Sequence, residues 1–202
     1  MAEKKMQPIK LSHPRTRGSV SIEEALLKRR SVRSYTGVPL SIEDLSQLLW
    51  AAQGMSHPRG YRTAPSAGAL YPLELLVAAG RVGALSPGVY RYDPHRHEIV
   101  LHREGDRRAN LRRASLDQSA VGNAPAVLIF CAVYERTTRK YGERGVRYAM
   151  MEAGHAAQNV HLQVVSLGLG TVLIGAFRDD QVKSVLELGG NEEPLYLMPV
   201  GK

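Results

Sequence analysis

The chain has 202 residues, 44% of them hydrophobic and 23% charged, with 19 Gly, 11 Pro and one Cys. It is long enough to bury a core unaided, and its composition excludes collagen-like, disulfide-framework and wholly disordered classes. Its 27 basic against 19 acidic residues give a formal charge of +8, a field that suits nucleic acid and equally any other anionic partner, a phosphorylated cofactor included.

Residues 1–20 are polar and lack periodicity, and are expected to form a mobile or surface-draped arm ahead of one domain over 21–202. The charged start MAEKKMQPIKL has no apolar stretch of the secretory kind. No run reaches the roughly 18–20 apolar residues of a membrane span. A reduced, cytoplasmic protein is therefore expected. Ser21 with Glu24 forms a capping box that opens a short helix through Leu26 and Leu27. Ser41 caps a second helix, in which Leu45, Leu48, Leu49 and Ala52 form an apolar stripe ending at Gly54. A long Gly, Pro, Ser and Ala-rich loop, 55–72, follows.

Strands are predicted at 73–79, 89–92 and 98–102, the last two joined by a turn at Asp93-Pro94-His95-Arg96. A basic helix runs from Asp106 to about Leu116, and 126–133 reads as a strand buried on both faces. Cys131 lies in that strand, where a small buried hydrophobe is the ordinary role for a thiol. The longest helical pattern spans 147–167, with Met150, Ala153, Ala157, Val160 and Val164 as its stripe. A strand at 171–174, a helix at 179–188 and a strand at 195–200 complete the chain. Interleaved helices and strands with one hairpin predict an α+β domain, its mixed central β-sheet covered by helices.

Four stretches can carry chemistry. Arg29, Arg30, Ser31 and Arg33 can converge on a phosphate, although basic residues also suit a helix C-terminus. Arg62-Thr63-Ala64-Pro65-Ser66-Ala67-Gly68-Ala69-Leu70-Tyr71-Pro72 is a stiff small-residue loop that can approach a flat ligand, or simply a tight loop. Gly175-Ala176, just past a strand, can present backbone to a ring system or form a plain turn. The charged stretch 135–145 contains Lys140 and Tyr141, a candidate proton donor or acceptor pair if desolvated, and otherwise a solvated loop. The scattered histidines lack metal-ligand spacing, and no phosphate loop of the Gly-x-x-x-x-Gly-Lys-Ser/Thr type occurs.

Taken in order, Arg29-Arg30-Ser31-Val32-Arg33, Pro65-Ser66-Ala67-Gly68-Ala69-Leu70-Tyr71-Pro72, Arg139-Lys140-Tyr141-Gly142-Glu143-Arg144-Gly145, Glu152-Ala153-Gly154-His155-Ala156-Ala157-Gln158-Asn159 and Pro199-Val200-Gly201-Lys202 resemble the FMN-dependent nitroreductase family. The likeness is greatest to its branch related to the dehydrogenases of thiazole/oxazole-modified microcin biosynthesis. The resemblance implies a homodimer with FMN in clefts between subunits. It assigns Arg29, Arg30, Ser31 and Arg33 to the phosphate, ribityl and pyrimidine side of the flavin. Pro65, Ser66 and Ala67 of the other subunit would line the ring, Gly68 would support the turn, and Gly175 and Ala176 would offer backbone. Many members carry a further basic residue after the Pro-Val-Gly segment that reaches the phosphate; here either Lys202 fills that role or the site has one contact fewer. Lys140 and Tyr141 match a pair assigned to base chemistry.

The expected function is a ping-pong FMN oxidoreductase working through flavin N5, linked to NAD(P)H and acting on a small molecule. The alternative is an oxygen-linked, azoline-type dehydrogenase with Lys140 or Tyr141 as base. A basic nucleic-acid-binding domain is the alternative of another class. Its support is the charge and the Arg107-Arg108/Arg112-Arg113 cluster; a 6% aromatic content leaves it few stacking platforms.

Overall fold

The computed structural model describes residues 7–202, so the first six residues of the expected arm lie outside the described residues. In chain order the elements are β1 (Ile9–Lys10), α1 (Ile22–Lys28), α2 (Ile42–Gln53), a 3-10 turn (Ala67–Ala69), β2 (Leu73–Ala79), β3 (Gly88–Asp93) and β4 (Glu98–Glu104). There follow α3 (Arg108–Ala114), α4 (Ser119–Asn123), β5 (Ala126–Ala132), α5 (Glu135–Tyr141), α6 (Arg144–Ser166), β6 (Gly170–Thr171), α7 (Asp179–Leu186) and β7 (Glu193–Gly201).

The strands form one sheet in the order β1-β4-β3-β2-β5-β7-β6. β5 organises it. All seven of its residues are buried, and alternate side chains feed two cores, as the period of two in a strand requires. Ala126, Leu128, Phe130 and Ala132 join the larger core, with Leu45, Leu48 and Leu49 of α2 and Ala153, Ala157 and Val160 of α6. Val127, Ile129 and Cys131 join the smaller one, with Leu111 of α3, Val121 of α4 and Val182 and Leu186 of α7. Each large apolar side chain so buried contributes about 1.5–3 kcal/mol.

The two predicted helix caps form. Ser21 Oγ accepts from Glu24 N at 3.1 Å and Ser41 Oγ from Asp44 N at 3.0 Å. The hairpin turns on Asp93, whose Oδ1 accepts from the backbone of His95 (2.8 Å) and Arg96 (3.2 Å).

Several elements differ from expectation. Every ladder between named strands is antiparallel, and the parallel component is limited to the isolated bridges Ser31–Thr171 and Leu40–Val82. The helical crossovers deliver each strand to an antiparallel neighbour, which interleaving alone does not reveal. The strand expected at 171–174 pairs as a ladder only at Gly170–Thr171, with a single further bridge from Ile174 to Leu197. Met150 is 50% exposed and stands off the α6 stripe. Residues 135–141 form α5, whose only buried side chain is Thr137, so no apolar periodicity announced it. Of the arm, Ile9–Lys10 pairs with β4 and Leu11 is 5% exposed.

Candidate active site

The sequence-selected residues gather in two clusters. The first lies where the sheet ends at β6. Val32 N donates to Thr171 O at 2.9 Å, and Ser31 bridges Thr171. Tyr35 pins the same segment to β7: its hydroxyl lies 2.9 Å from Val32 O and 3.0 Å from Pro199 O, and burial pushes its pKa up. Thr36 N donates to the carbonyl of Lys202, so the C-terminus joins the cluster. Arg33 lines a cavity of about 140 Å³ with Gln118, Val172 and Ile174. Gln118, unremarked in the sequence, donates to Ala176 O at 2.9 Å and steadies the exposed Gly175-Ala176 segment. Arg30 turns back on α1, donating to Leu27 O (2.9 Å) and Arg29 O (2.8 Å), which caps that helix while its guanidinium stays exposed. Burial lowers the pKa of His161, the charge of Arg29 adds to the lowering, and His161 Nδ1 is buried without a partner.

The second cluster is the loop before β2 with the end of α5. Ser66 Oγ accepts from Tyr71 N at 2.9 Å, closing the turn on which Gly68 takes φ 63°. A Cβ on Gly68 would lie 2.7 Å from the Tyr141 hydroxyl and 3.0 Å from Lys140 Nζ. Lys140 and Tyr141, 72 and 73 residues away from Gly68 in sequence, therefore close over it. Lys140 Nζ sits 5.4 Å from the Tyr141 ring centroid, and Tyr141 meets Tyr148 edge-on at 5.1 Å. Arg136, also on α5, ties the loop down by donating to Tyr71 O at 3.0 Å and pairing with Glu74.

Register separates the clusters. Leu73, Ala132 and Glu193 align at one end of the sheet, and Ala79, Ala126, Val200 and Thr171 at the other. A seven-residue strand spans roughly 20 Å. The Ser66–Tyr141 cluster is at the first end, and Ser31 and Lys202 are at the second.

Other charged groups have structural partners. In the basic helix Arg108 is 6% exposed and pairs with Asp106, Arg103 and Arg107 face Glu187, and Arg112 faces Asp117. These contacts balance part of the helix's charge locally, while the Arg113 guanidinium, among the described residues, hydrogen-bonds only to Asn110. His97 contacts Ser12 O, Ser46 Oγ and the Tyr92 hydroxyl, and His102 contacts Leu186 O. Among the described residues no three His, Cys, Asp or Glu side chains converge as metal ligands, and no helix is long and apolar enough to cross a membrane. Cys131 is fully buried and its pKa is pushed up by that burial.

Comparison with known proteins agrees with this architecture. The model of the nitroreductase family matches residues 26–202. A Methanocaldococcus jannaschii protein named as a nitroreductase is 50% identical over 183 residues, covering 91% of each chain. A nitroreductase-type crystal structure from Ralstonia eutropha JMP134 superposes with a TM-score of 0.85 at 32% identity, covering 100% of this chain and 91% of that one. The microcin B17-processing protein McbC of Escherichia coli is 28% identical over 155 residues, 74% of this chain; the match spans only 57% of McbC. The chain belongs to the nitroreductase family of FMN-dependent oxidoreductases, on the side of that family that includes microcin-processing relatives.

Proposed function

We propose that two copies of this chain form a flavin oxidoreductase in which each site joins the Arg29–Lys202 cluster of one copy to the Ser66–Tyr141 cluster of the other. The separation of the two clusters along the sheet carries this reading. A single chain holds both halves, but at opposite ends. Exposed apolar side chains supply a surface for pairing: Ile22, Leu26 and Leu27 on α1 are 55%, 55% and 73% exposed, and Met150 and Met151 on α6 are 50% and 53% exposed.

The residues fit FMN by the chemistry of their donors. Arg29, Arg33 and Lys202 offer cations for a phosphate dianion, with Arg30 able to add the N–H groups it does not use on α1, and Ser31 adds a hydroxyl. Gly175 and Ala176 are exposed backbone with no side chain larger than a methyl group, which a flat ring can approach closely. Pro65, Ser66 and Ala67 would cover the ring from the other copy. Bound FMN supplies the two-electron chemistry through N5. The protein's cations near the pyrimidine side would stabilise the negative charge that reduction places there.

NAD(P)H is the proposed electron donor, with a small-molecule acceptor entering the same cleft after the oxidised donor leaves. A second reading is favoured by the packing of Lys140 and Tyr141 against Gly68. In it the pair would remove a proton from a substrate carbon, bound FMN would supply the acceptor for the hydride, and oxygen would be the terminal electron acceptor. The likeness to the microcin-processing protein McbC is in keeping with this second reading.

Hybrid complementation tests the shared site. An Arg29→Ala/Arg33→Ala chain mixed with a Lys140→Ala chain regains up to half the activity per heterodimer if each site uses both copies. If each site lies within one chain, the mixture stays inactive. Anaerobic titration of the yellow protein with NADH and NADPH tests the donor.

A further inference from the structure

Glu152 lies on the buried side of α6, 2% exposed, and α6 packs against the turn that carries Gly68. Its neighbours come from two other elements. From the end of α2 comes Gln53, 1% exposed; from the loop come Arg62 and Ser66. Arg62 Nη1 donates to Gln53 Oε1 at 2.8 Å, its guanidinium stacks 4.4 Å from the Tyr71 ring centroid, and its backbone N–H approaches the Tyr71 hydroxyl at 3.3 Å. The same Tyr71 closes the Ser66 turn and receives Arg136. A continuous polar path thus runs from Glu152 to the loop on which Lys140 and Tyr141 rest.

That path is incompletely satisfied. Glu152 Oε1, Gln53 Nε2 and Arg62 Nε are buried, and none has a hydrogen bond of good geometry. Buried orphans are rare and costly, and here they adjoin one another around a single carboxyl. Ser66 and Gln53 lie close enough to favour the charged form, and Arg62 does so by its charge. Burial nevertheless outweighs them and pushes the Glu152 pKa up to about 7. The charged groups facing the cluster are Arg62 and, acting on Arg62 from β2 and α5, Glu74 and Arg136; Tyr71 is the remaining titratable neighbour.

We propose that Glu152 is a positioning residue whose protonation state sets the seat of the Ser66–Gly68 turn against Lys140 and Tyr141. Neutral, it leaves Arg62 to Gln53 and Tyr71, the arrangement described above. Ionised, it draws Arg62 and the Ser66 hydroxyl toward α6, and the turn moves with them. The consequence for the cofactor rests on the proposal that this turn lines the flavin. The arrangement makes flavin binding and the proton-transfer pair respond to pH through a residue that touches neither.

Trp50, the single tryptophan, reports on this region without any cofactor. A Cβ on Gly54 would meet its ring, and Thr63 Oγ1 donates to its carbonyl at 2.9 Å. The test is Trp50 emission of the cofactor-free protein across neutral pH, wild type against Glu152→Gln, with circular dichroism confirming that the variant is folded. FMN affinity, read by quenching of flavin fluorescence, is followed over the same range. The expected result is a sigmoidal change of emission centred near pH 7 in the wild type and none in the variant, with FMN affinity tracking it only in the wild type. A flat wild-type profile overturns the proposal, even if the variant fails to fold. So does a titration that survives Glu152→Gln, or FMN affinity that ignores pH while Trp50 titrates. Absence of FMN binding at every pH overturns the cofactor reading instead, and the emission profiles still decide the role of Glu152 in seating the turn.

Discussion

Gly68 and Tyr141 are in contact through an atom that glycine lacks: a Cβ at Gly68 would stand 2.7 Å from the Tyr141 hydroxyl. The positive φ of 63° adds a conformational demand at the same position. Gly68→Ala is therefore expected to cost about 1–3 kcal/mol in stability and to displace Tyr141 and Lys140. Turnover should fall about tenfold or more, since about 1.4 kcal/mol of lost positioning corresponds to that factor. Steady-state rates with thermal unfolding check this; wild-type turnover in the variant would remove the contact from the mechanism.

Lys140→Ala separates binding from chemistry. Lys140 is exposed and carries no core packing, so the variant is expected to fold and to retain FMN. In the dehydrogenase reading, substrate oxidation is abolished. Absorption of the purified variant and a single-turnover assay distinguish loss of cofactor from loss of proton transfer.

Arg29→Ala should act on cofactor affinity. Loss of one charge-assisted hydrogen bond to a phosphate corresponds to about 1.5–3 kcal/mol, or roughly a 10- to 150-fold rise in the Kd for FMN. Equilibrium dialysis measures it, and an unchanged Kd would move the phosphate away from Arg29.

Glu152 links stability to pH. Its folded pKa of about 7 lies above the ordinary 4.5, so the folded state holds the proton more tightly. Its contribution is fully present below about pH 4.5 and is lost as pH rises through about 7. Between pH 5 and 8 the wild type should lose at most about 2.5 kcal/mol that Glu152→Gln does not lose. Urea unfolding of both proteins at the two pH values gives the comparison; parallel losses would show that Glu152 is not the titrating group.

Cys131 should be inert as a nucleophile. It is fully buried in β5, facing Val127 and Ile129 of the smaller core, and burial opposes the thiolate. A thiol reagent is expected to label it only at the rate of unfolding. Cys131→Ser should destabilise the fold by about 1–3 kcal/mol, the cost of burying a hydroxyl without a partner.

How far the sequence could be read depended on how local the cause was. The Ser21 and Ser41 caps and the 73–79 strand were legible because a cap needs its own first turn and a buried strand shows its apolar run. α5 was not, because only Thr137 turns inward. β1 was not, because two residues become a strand only when β4 lies beside them. The basic helix was visible, but its partners Glu187 and Asp106 were identified only by folding.

The candidate site divides in the same way. Its residue types, Arg29 to Arg33, the Pro65–Gly68 turn, Lys140-Tyr141 and the Gly175-Ala176 backbone, stood in the sequence in an order that identified the family. Through the family those motifs resemble, the sequence thus implied an α+β oxidoreductase with an anionic cofactor to bind, and folding pairs Arg108 and Arg112 of α3 with acidic neighbours. Only the tertiary structure decided which of these residues meet. It closed Lys140 and Tyr141 over Gly68, set the Arg29–Arg33 segment at the far end of the sheet, and buried Glu152 beneath the loop. Local sequence carries turn and helix preferences, whereas contacts between distant segments, and the desolvation that shifts a carboxyl's pKa, exist only after the sheet has brought those segments together.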